Sequence, residues 1–326
     1  MLDTLRFVRG AVSTKDLVPV LTHFCIRDGR IQGQNGRLAL DAACPDLADH
    51  SLVVPADKFL RAVDACDGEP TLTVKEDKLY ISRGKFRASL STLKMEDYPL
   101  IGGEGTAPCG FARRGDGLLA ALTLAEPFMS LDASRPWSCS VLLTDDTAYA
   151  TNNVVLACVE FDWGCEDLVL PAFAVHELLR IGVDPMTLAW DENEFTAEYA
   201  DGSWLHSQLI EGAWPGTLRD LDKSIQAEEN WFPTFRGEMT AAMEKLKPFF
   251  PNAKLPVILT GPHGLSTEDG QSSAAVEVGE LPEAAFRLES LSLVMTAAQD
   301  WAPHNYPGPV PWRGYRIRGM LSGVRR

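Results

Sequence analysis

The chain has 326 residues, 45% of them hydrophobic and 23% charged, and a formal charge of −15. That length exceeds one typical core and fits two or three domains of roughly 100–150 residues, and the apolar fraction excludes wholesale disorder. No apolar run reaches the ~18–20 residues of a membrane helix. The opening MLDTLRFVRG lacks a signal-peptide core, and the seven scattered cysteines form no CxxC pair, so a cytoplasmic protein without membrane, disulfide framework or zinc module is expected.

In chain order, the first predicted element is a short helix marked by Leu5, Val8 and Val12, whose spacing is helical. Strands follow over 23–27 and 37–43. A helix over 56–65 starts behind Pro55, where a missing N–H is harmless. Further strands are predicted over 71–74, 78–82 and 86–90. The same order then repeats. Leu118, Leu119 and Leu122 open a second unit, with a helix over 172–181 behind Pro171. Met239, Met243 and Leu246 open a third, with a helix over 290–298. The glycine-rich 102–108 stretch and the polar 220–230 stretch separate the units, giving domains 1–107, 108–222 and 223–326.

The repeat can be aligned directly. At an offset of 116, LVVPADKFLRAV (52–63) falls on LVLPAFAVHELL (168–179), and Tyr98-Pro99 falls on Trp214-Pro215. Ten identities in 48 ungapped positions is a low rate, so the matching of apolar positions carries the alignment. A third copy aligns at an offset of 234, FRLESLSLVMTAA (286–298) falling on 52–64. The expected fold is α+β, in three tandem units of helix, strands, helix and strands. The helices pack on one face of a continuous antiparallel sheet, and closure into a ring removes free strand edges.

The motifs VVPADKFLRAV and LYISRGKFRASLSTLKMEDYP (79–99), YATNNVVLA (149–157) and LVLPAFAVHELLRI resemble those of the bacterial DNA polymerase III β subunit, the three-domain sliding clamp. The resemblance spans the chain, is clearest over 1–215 and is weak over 223–326. Its divergence fits a phage-encoded version. It implies three DNA-clamp domains and a head-to-tail homodimer forming a ring around double-stranded DNA without sequence specificity. It also implies binding of DNA polymerase and clamp loader through short linear motifs, no enzymatic activity, and no cofactor or metal.

Arg6, Arg9, Lys58, Arg61, Arg180, Lys245 and Lys247 fall on predicted helices, and Arg113, Arg114 and Arg236 at helix starts. Read alone they are the solvated faces of amphipathic helices. The resemblance makes them DNA-facing, as phosphate contacts that position without reading bases. Charge is unevenly spread: residues 1–107 carry 14 basic and 15 acidic groups, 108–222 carry 5 and 19, and 223–326 carry 11 and 11. The acidity therefore lies in the middle unit. The predicted helices are neutral in sum, so loose, salt-sensitive DNA contact is expected.

The resemblance also places a partner-peptide pocket at Thr151, Asn153, Val154, Val155 and Leu156, at Pro215 and Arg219, and at Arg318, Gly319 and Met320. Val154–Leu156, Pro215 and Met320 would form an apolar floor. Val154-Val155 stands where the family has His-Arg, and Arg318-Gly319-Met320 where it has Met-Pro-Met, so the peptide preference is altered. The alternative for Val154–Leu156 is plain strand core.

No enzyme motif holds. His176-Glu177 opens like a metalloprotease helix, but Arg180 occupies the second histidine position. The six histidines show no ligand spacing. The alternative function is a clamp-fold interaction scaffold without DNA loading.

Overall fold

The computed structural model describes residues 1–15, 17–101, 117–162, 164, 167–210, 212–250, 255–276 and 281–325, and the backbone of 111–113. The expected 102–108 boundary and Arg114 lie outside the described residues.

Each unit begins with a helix that buries one stripe. Helix α1 (Leu2–Arg9) buries Leu5 and Val8. Strands β1 (His23–Arg27), β2 (Arg30–Gln34), β3 (Leu38–Ala43) and β4 (Leu52–Pro55) follow. Helix α2 (Ala56–Asp64) starts behind Pro55 and buries Phe59, Ala62 and Val63. Strands β5 (Thr71–Lys75), β6 (Lys78–Arg83) and β7 (Phe86–Ser91) complete the first set.

The second set runs β8 (Phe111–Arg113), α3 (Leu118–Ala125), β9 (Ser140–Leu143), β10 (Thr147–Thr151), β11 (Val155–Glu160) and β12 (Leu168–Pro171). It continues through α4 (Ala172–Ile181), β13 (Thr187–Trp190), β14 (Glu194–Glu198) and β15 (Trp204–Gln208). Arg113 therefore ends a strand and does not open a helix.

The polar stretch expected to be a linker contains a helix, α5 (Leu218–Gln226), which buries Leu218, Asp222 and Ile225. The third set is β16 (Phe232–Pro233), α6 (Arg236–Leu246), β17 (Val257–Gly261), β18 (Gly264–Thr267), β19 (Ser273–Ala274) and β20 (Ala284–Arg287). Then come α7 (Leu288–Ala297), β21 (Asp300–Trp301), β22 (Val310–Gly314) and β23 (Ile317–Leu321). Because α7 begins at Leu288, the third offset is two residues shorter than the sequence alignment placed it. Strands β21 and β22 pair antiparallel, Trp301 opposite Trp312, and a proline-rich connection with a 3-10 turn at Pro303–Asn305 joins them in place of a tight hairpin.

Residues 1–119 with 176–209 form one compact unit, and 120–175 with 210–326 a second. The first contains an antiparallel sheet ordered β4-β1-β2-β3-β15-β14-β13-β8, and a separate sheet β5-β6-β7. Its junction is the pairing of β3 with β15, Leu40 opposite Leu205. The second contains β12-β9-β10-β11-β23-β22-β21-β16, joined where β11 meets β23, and a four-stranded sheet β19-β18-β17-β20. In each eight-stranded sheet, the first four strands of one set thus continue into the last strands of the next.

In the first unit α1 lies on β2 and β3 and against α2. Gly33 permits this close approach, since a Cβ there would collide with Val8 and Val12. In the second, α6 packs on α7 and on β18 and β19, burying Met239, Met243 and Leu246. Trp301, Trp312 and Phe286 fill the core of that unit, and the Trp312 indole stacks on Phe128 at 5.4 Å.

Candidate partner and DNA interfaces

Strand alternation sorts the expected pocket residues between two faces. On β11 and β23, Leu156, Cys158 and Met320 turn to one face, where they pack with Leu142 and Tyr149. Val155 is fully buried on the other face. Gly319 is there too: a Cβ would run into the Leu156 carbonyl and the Trp312 ring, so no side chain can be projected from this position. Val155 and Gly319 therefore belong to the core and not to a surface pocket.

Helix α5 covers that shared face. Its Leu218, Leu221 and Ile225 recur at helical spacing and lie on Leu142, Tyr149, Leu156 and Cys158, with Trp214, Trp231 and Met320 at the margin. The Trp214 Nε1–H donates to Ser140 Oγ at 3.2 Å, and its ring meets Trp137 edge-on at 5.3 Å. Arg318 donates to Asp222 through Nε at 2.5 Å and Nη2 at 2.7 Å, and through Nη1 to Glu160 at 3.2 Å. The carboxylate of Asp222 also accepts from Gln226 Nε2 at 3.2 Å and from the Tyr149 hydroxyl at 3.4 Å.

This pairing raises the Arg318 pKa, chiefly through the Asp222 hydrogen bonds. Burial, with Asp222 nearby, pushes the Tyr149 hydroxyl and the Cys158 thiol up, so both stay protonated. Arg318 is thus committed within the fold, while half-buried Met320 and exposed Pro215 remain at the margin.

The turn residues occupy other surroundings. Thr151 is buried; its hydroxyl donates to the Val155 carbonyl at 2.7 Å and accepts the Asn153 N–H at 3.0 Å. Asn153 takes the left-handed conformation this turn needs (φ 70°). Val154 lines a separate crevice of about 230 Å³ with Pro256, Arg287, Glu289 and Leu293. Exposed Arg219 pairs with Asp167 at 3.4 Å and Asp145 at 3.6 Å. The structure therefore gathers Leu156, Met320 and Arg318 at one place and leaves Val154 at another.

Sequence reasoning missed Trp214, Asp222 and Tyr149. The alignment of Trp214-Pro215 on Tyr98-Pro99 was the available signal for the first; nothing in the sequence marks Asp222 as the partner of Arg318.

Most of the expected DNA-facing cations are exposed, and several are paired. Arg6 meets Asp64 at 2.9 Å, joining α1 to α2. Arg9 meets Asp57 at 2.5 Å and holds its carboxyl below the usual carboxylate range. Arg180 is bound to Glu177 at 2.5 Å and donates to the Phe7 carbonyl at 2.7 Å, so its charge fastens α4 to α1. Lys247 lies in the turn after α6, 2.5 Å from Glu244. Lys58, Arg61, Arg236 and Lys245 are exposed. The pairs exposed on both sides, Arg6–Asp64 and Lys247–Glu244, contribute at most about 1 kcal/mol each, so a phosphate can compete for them. Among the described residues, no helix is long and apolar enough to cross a membrane, and no cluster of three His, Cys, Asp or Glu could hold a metal ion.

The fold these sheets and helices define is that of the bacterial DNA polymerase III β sliding clamps. The DNA polymerase III subunit beta of Pseudomonas aeruginosa superimposes with a TM-score of 0.81 at 18% identity, over 100% of this chain and 97% of that one. A putative DNA polymerase III beta subunit of Eubacterium rectale gives 0.80 at 12% identity, with the same coverage. The Helicobacter pylori beta clamp, solved bound to a DNA ligase peptide, gives 0.77 at 14% identity, again over 100% and 97%. No family model and no curated protein matches the sequence.

Proposed function

We propose that the chain is a DNA sliding clamp: a non-enzymatic processivity factor whose domains 1–107, 108–222 and 223–326 assemble head to tail with a second copy around duplex DNA. One observation carries this reading. In both eight-stranded sheets the third strand of a four-stranded half pairs with the last strand of the following set, β3 with β15 and β11 with β23. The corresponding strands left over are β19 and β7, each unpaired along its outer edge among the described residues. Pairing β19 of one copy with β7 of another repeats the same junction and removes both open edges.

On this reading the α1, α2 and α6 cations contact phosphates, and partner peptides bind beside Met320 and Pro215. Bacterial cytoplasm, or that of a host cell, is the compartment this reading implies. The assembly test is solution mass: twice the 35.7 kDa chain mass at micromolar concentration supports the reading, and a monomer with no ring by electron microscopy opposes it.

A second reading is an interaction scaffold that keeps the fold without loading onto DNA. The pairing of Arg6, Arg9, Arg180 and Lys247 with neighbouring acids favours it.

A further inference from the structure

Among the described residues the threefold register leaves one surface open. In the first set Cys25 pairs with Val53 and Gln32, and Gln32 with Asp41. In the second, Leu142 pairs with Val169 and Tyr149, and Tyr149 with Cys158. In the third, Leu259 pairs with Ala285 and Ser266, and Ser266 with Ser273. Val53, Val169 and Ala285 each stand three residues before α2, α4 and α7, so the three rows are equivalent.

The first two rows are covered by the chain itself. Tyr98 packs on Cys25 and Val53, and Gln34 Nε2 donates to the Pro99 carbonyl. Helix α5 lies over the second row, with Trp214 packed at its margin. Cys25, Gln32 and Asp41, and Leu142, Tyr149 and Cys158, are accordingly buried.

Among the described residues the third row is open. Leu259 and Ser266 are half-exposed and Ser273 is exposed, and with Ala285 they line a cavity of about 780 Å³. The chain leaves β23 much as it leaves β7: Val324 N–H donates to the Ala285 carbonyl at 2.8 Å, as Leu93 N–H does to Val53 at 2.9 Å. After Leu93 the chain brings Tyr98-Pro99 over its row. The cavity over the third row is bordered by Tyr306 and Pro307.

We propose that this groove docks an extended segment of another protein carrying an aromatic residue followed by proline. Three observations select that occupant. Tyr98-Pro99 covers the first row, and the equivalent pair Trp214-Pro215 stands at the margin of the second, where the Trp214 ring packs beside α5. Ser266, Ser273 and Ala285 replace larger residues in at least one of the other rows and leave room for a ring, within a volume typical of ligand sites. His263 and Arg325 at the rim, beside one acid, Glu283, suit a segment with acids ahead of its aromatic, as in Glu96-Asp97-Tyr98-Pro99. The proposal rests on the threefold register and not on the sliding-clamp reading, so either can fail alone.

The probe is a fluorescein-labelled peptide of residues 92–101, TLKMEDYPLI, titrated into the full chain by anisotropy. The chain's own connector holds the first row at the high effective concentration of an intramolecular contact, so added peptide reports on the open row. Saturable binding is expected. It falls at least tenfold for Ser266→Trp, for Leu259→Asp, and for a peptide with Tyr98→Ala, and is unchanged by Leu131→Ser at an exposed site outside the groove lining; circular dichroism checks that each variant is folded. No saturable binding, binding that survives both groove variants, or indifference to the ring would overturn the proposal. So would self-association of the chain abolished by Ser266→Trp, which assigns the groove to a second copy.

Discussion

Arg318 on β23 and Asp222 on α5 form a two-point ion pair, 2.5 and 2.7 Å long, with side-chain exposures of only 15% and 8%. It fixes the connecting helix across the junction between β11 and β23. Asp222→Ala leaves the guanidinium with Glu160 alone, and a buried charge stripped of its partner costs about 3 kcal/mol. Urea denaturation should show that loss, and the double variant Asp222→Leu/Arg318→Met should recover most of it. A single-variant change below about 0.5 kcal/mol would mean the pair is surface-like.

Met320 and Leu156 share a face but not a role. Met320 is half-buried at the margin of α5, whereas Leu156 is 8% exposed beneath it. Met320→Asp is expected to weaken binding of a clamp-binding peptide at least tenfold while the melting temperature barely moves. Leu156→Asp should lower the melting temperature first, because it buries a carboxylate under the helix. Equal effects of both on stability would remove the distinction.

Lys58 and Arg61 on α2 are the cations to reverse, since Arg6 and Arg9 are tied to Asp64 and Asp57. Lys58→Glu/Arg61→Glu should reduce DNA retention and lower the slope of log affinity against log salt by about 2, near one unit per lost phosphate contact. Chemical denaturation should be unchanged. An unaltered salt slope would take α2 out of contact with DNA.

Two histidines give a pH dependence. Burial lowers the pKa of both His23, which hydrogen-bonds the Pro19 carbonyl at 2.9 Å, and His206, 3.2 Å from the Thr196 hydroxyl. The unfolded chain therefore takes up protons at these sites before the folded chain does, and their stabilising contribution is lost as pH falls below ~6.5. Unfolding free energy should drop between pH 7.5 and 5.5, and His23→Gln/His206→Gln should flatten that drop. An identical slope in the variant would contradict the assignment.

The residues that made the fold legible are those whose pattern is local. Pro55 and Pro171 marked two helix starts, and Met239, Met243 and Leu246 gave a third helix its buried stripe. Two features were hidden for physical reasons. Helix α5 carries its apolar stripe on Leu218, Leu221 and Ile225, but the charged and polar residues around it make 220–230 read as linker. Within Val154-Val155-Leu156, sequence shows three adjacent apolar residues, whereas strand alternation sends Val155 to the core and Leu156 toward α5. The third offset slipped by two residues because weak identity left only the helix stripe to set the register. The Arg318–Asp222 pair spans 96 residues, a contact that only the tertiary fold creates.

The most direct measurement is retention of the protein on singly nicked circular duplex DNA in the presence of a bacterial clamp loader and ATP. A sliding clamp stays on the circle through a gel-filtration column and is lost when the circle is cut once by a restriction enzyme. Retention that is absent with every loader, or that persists after linearisation, would contradict encirclement.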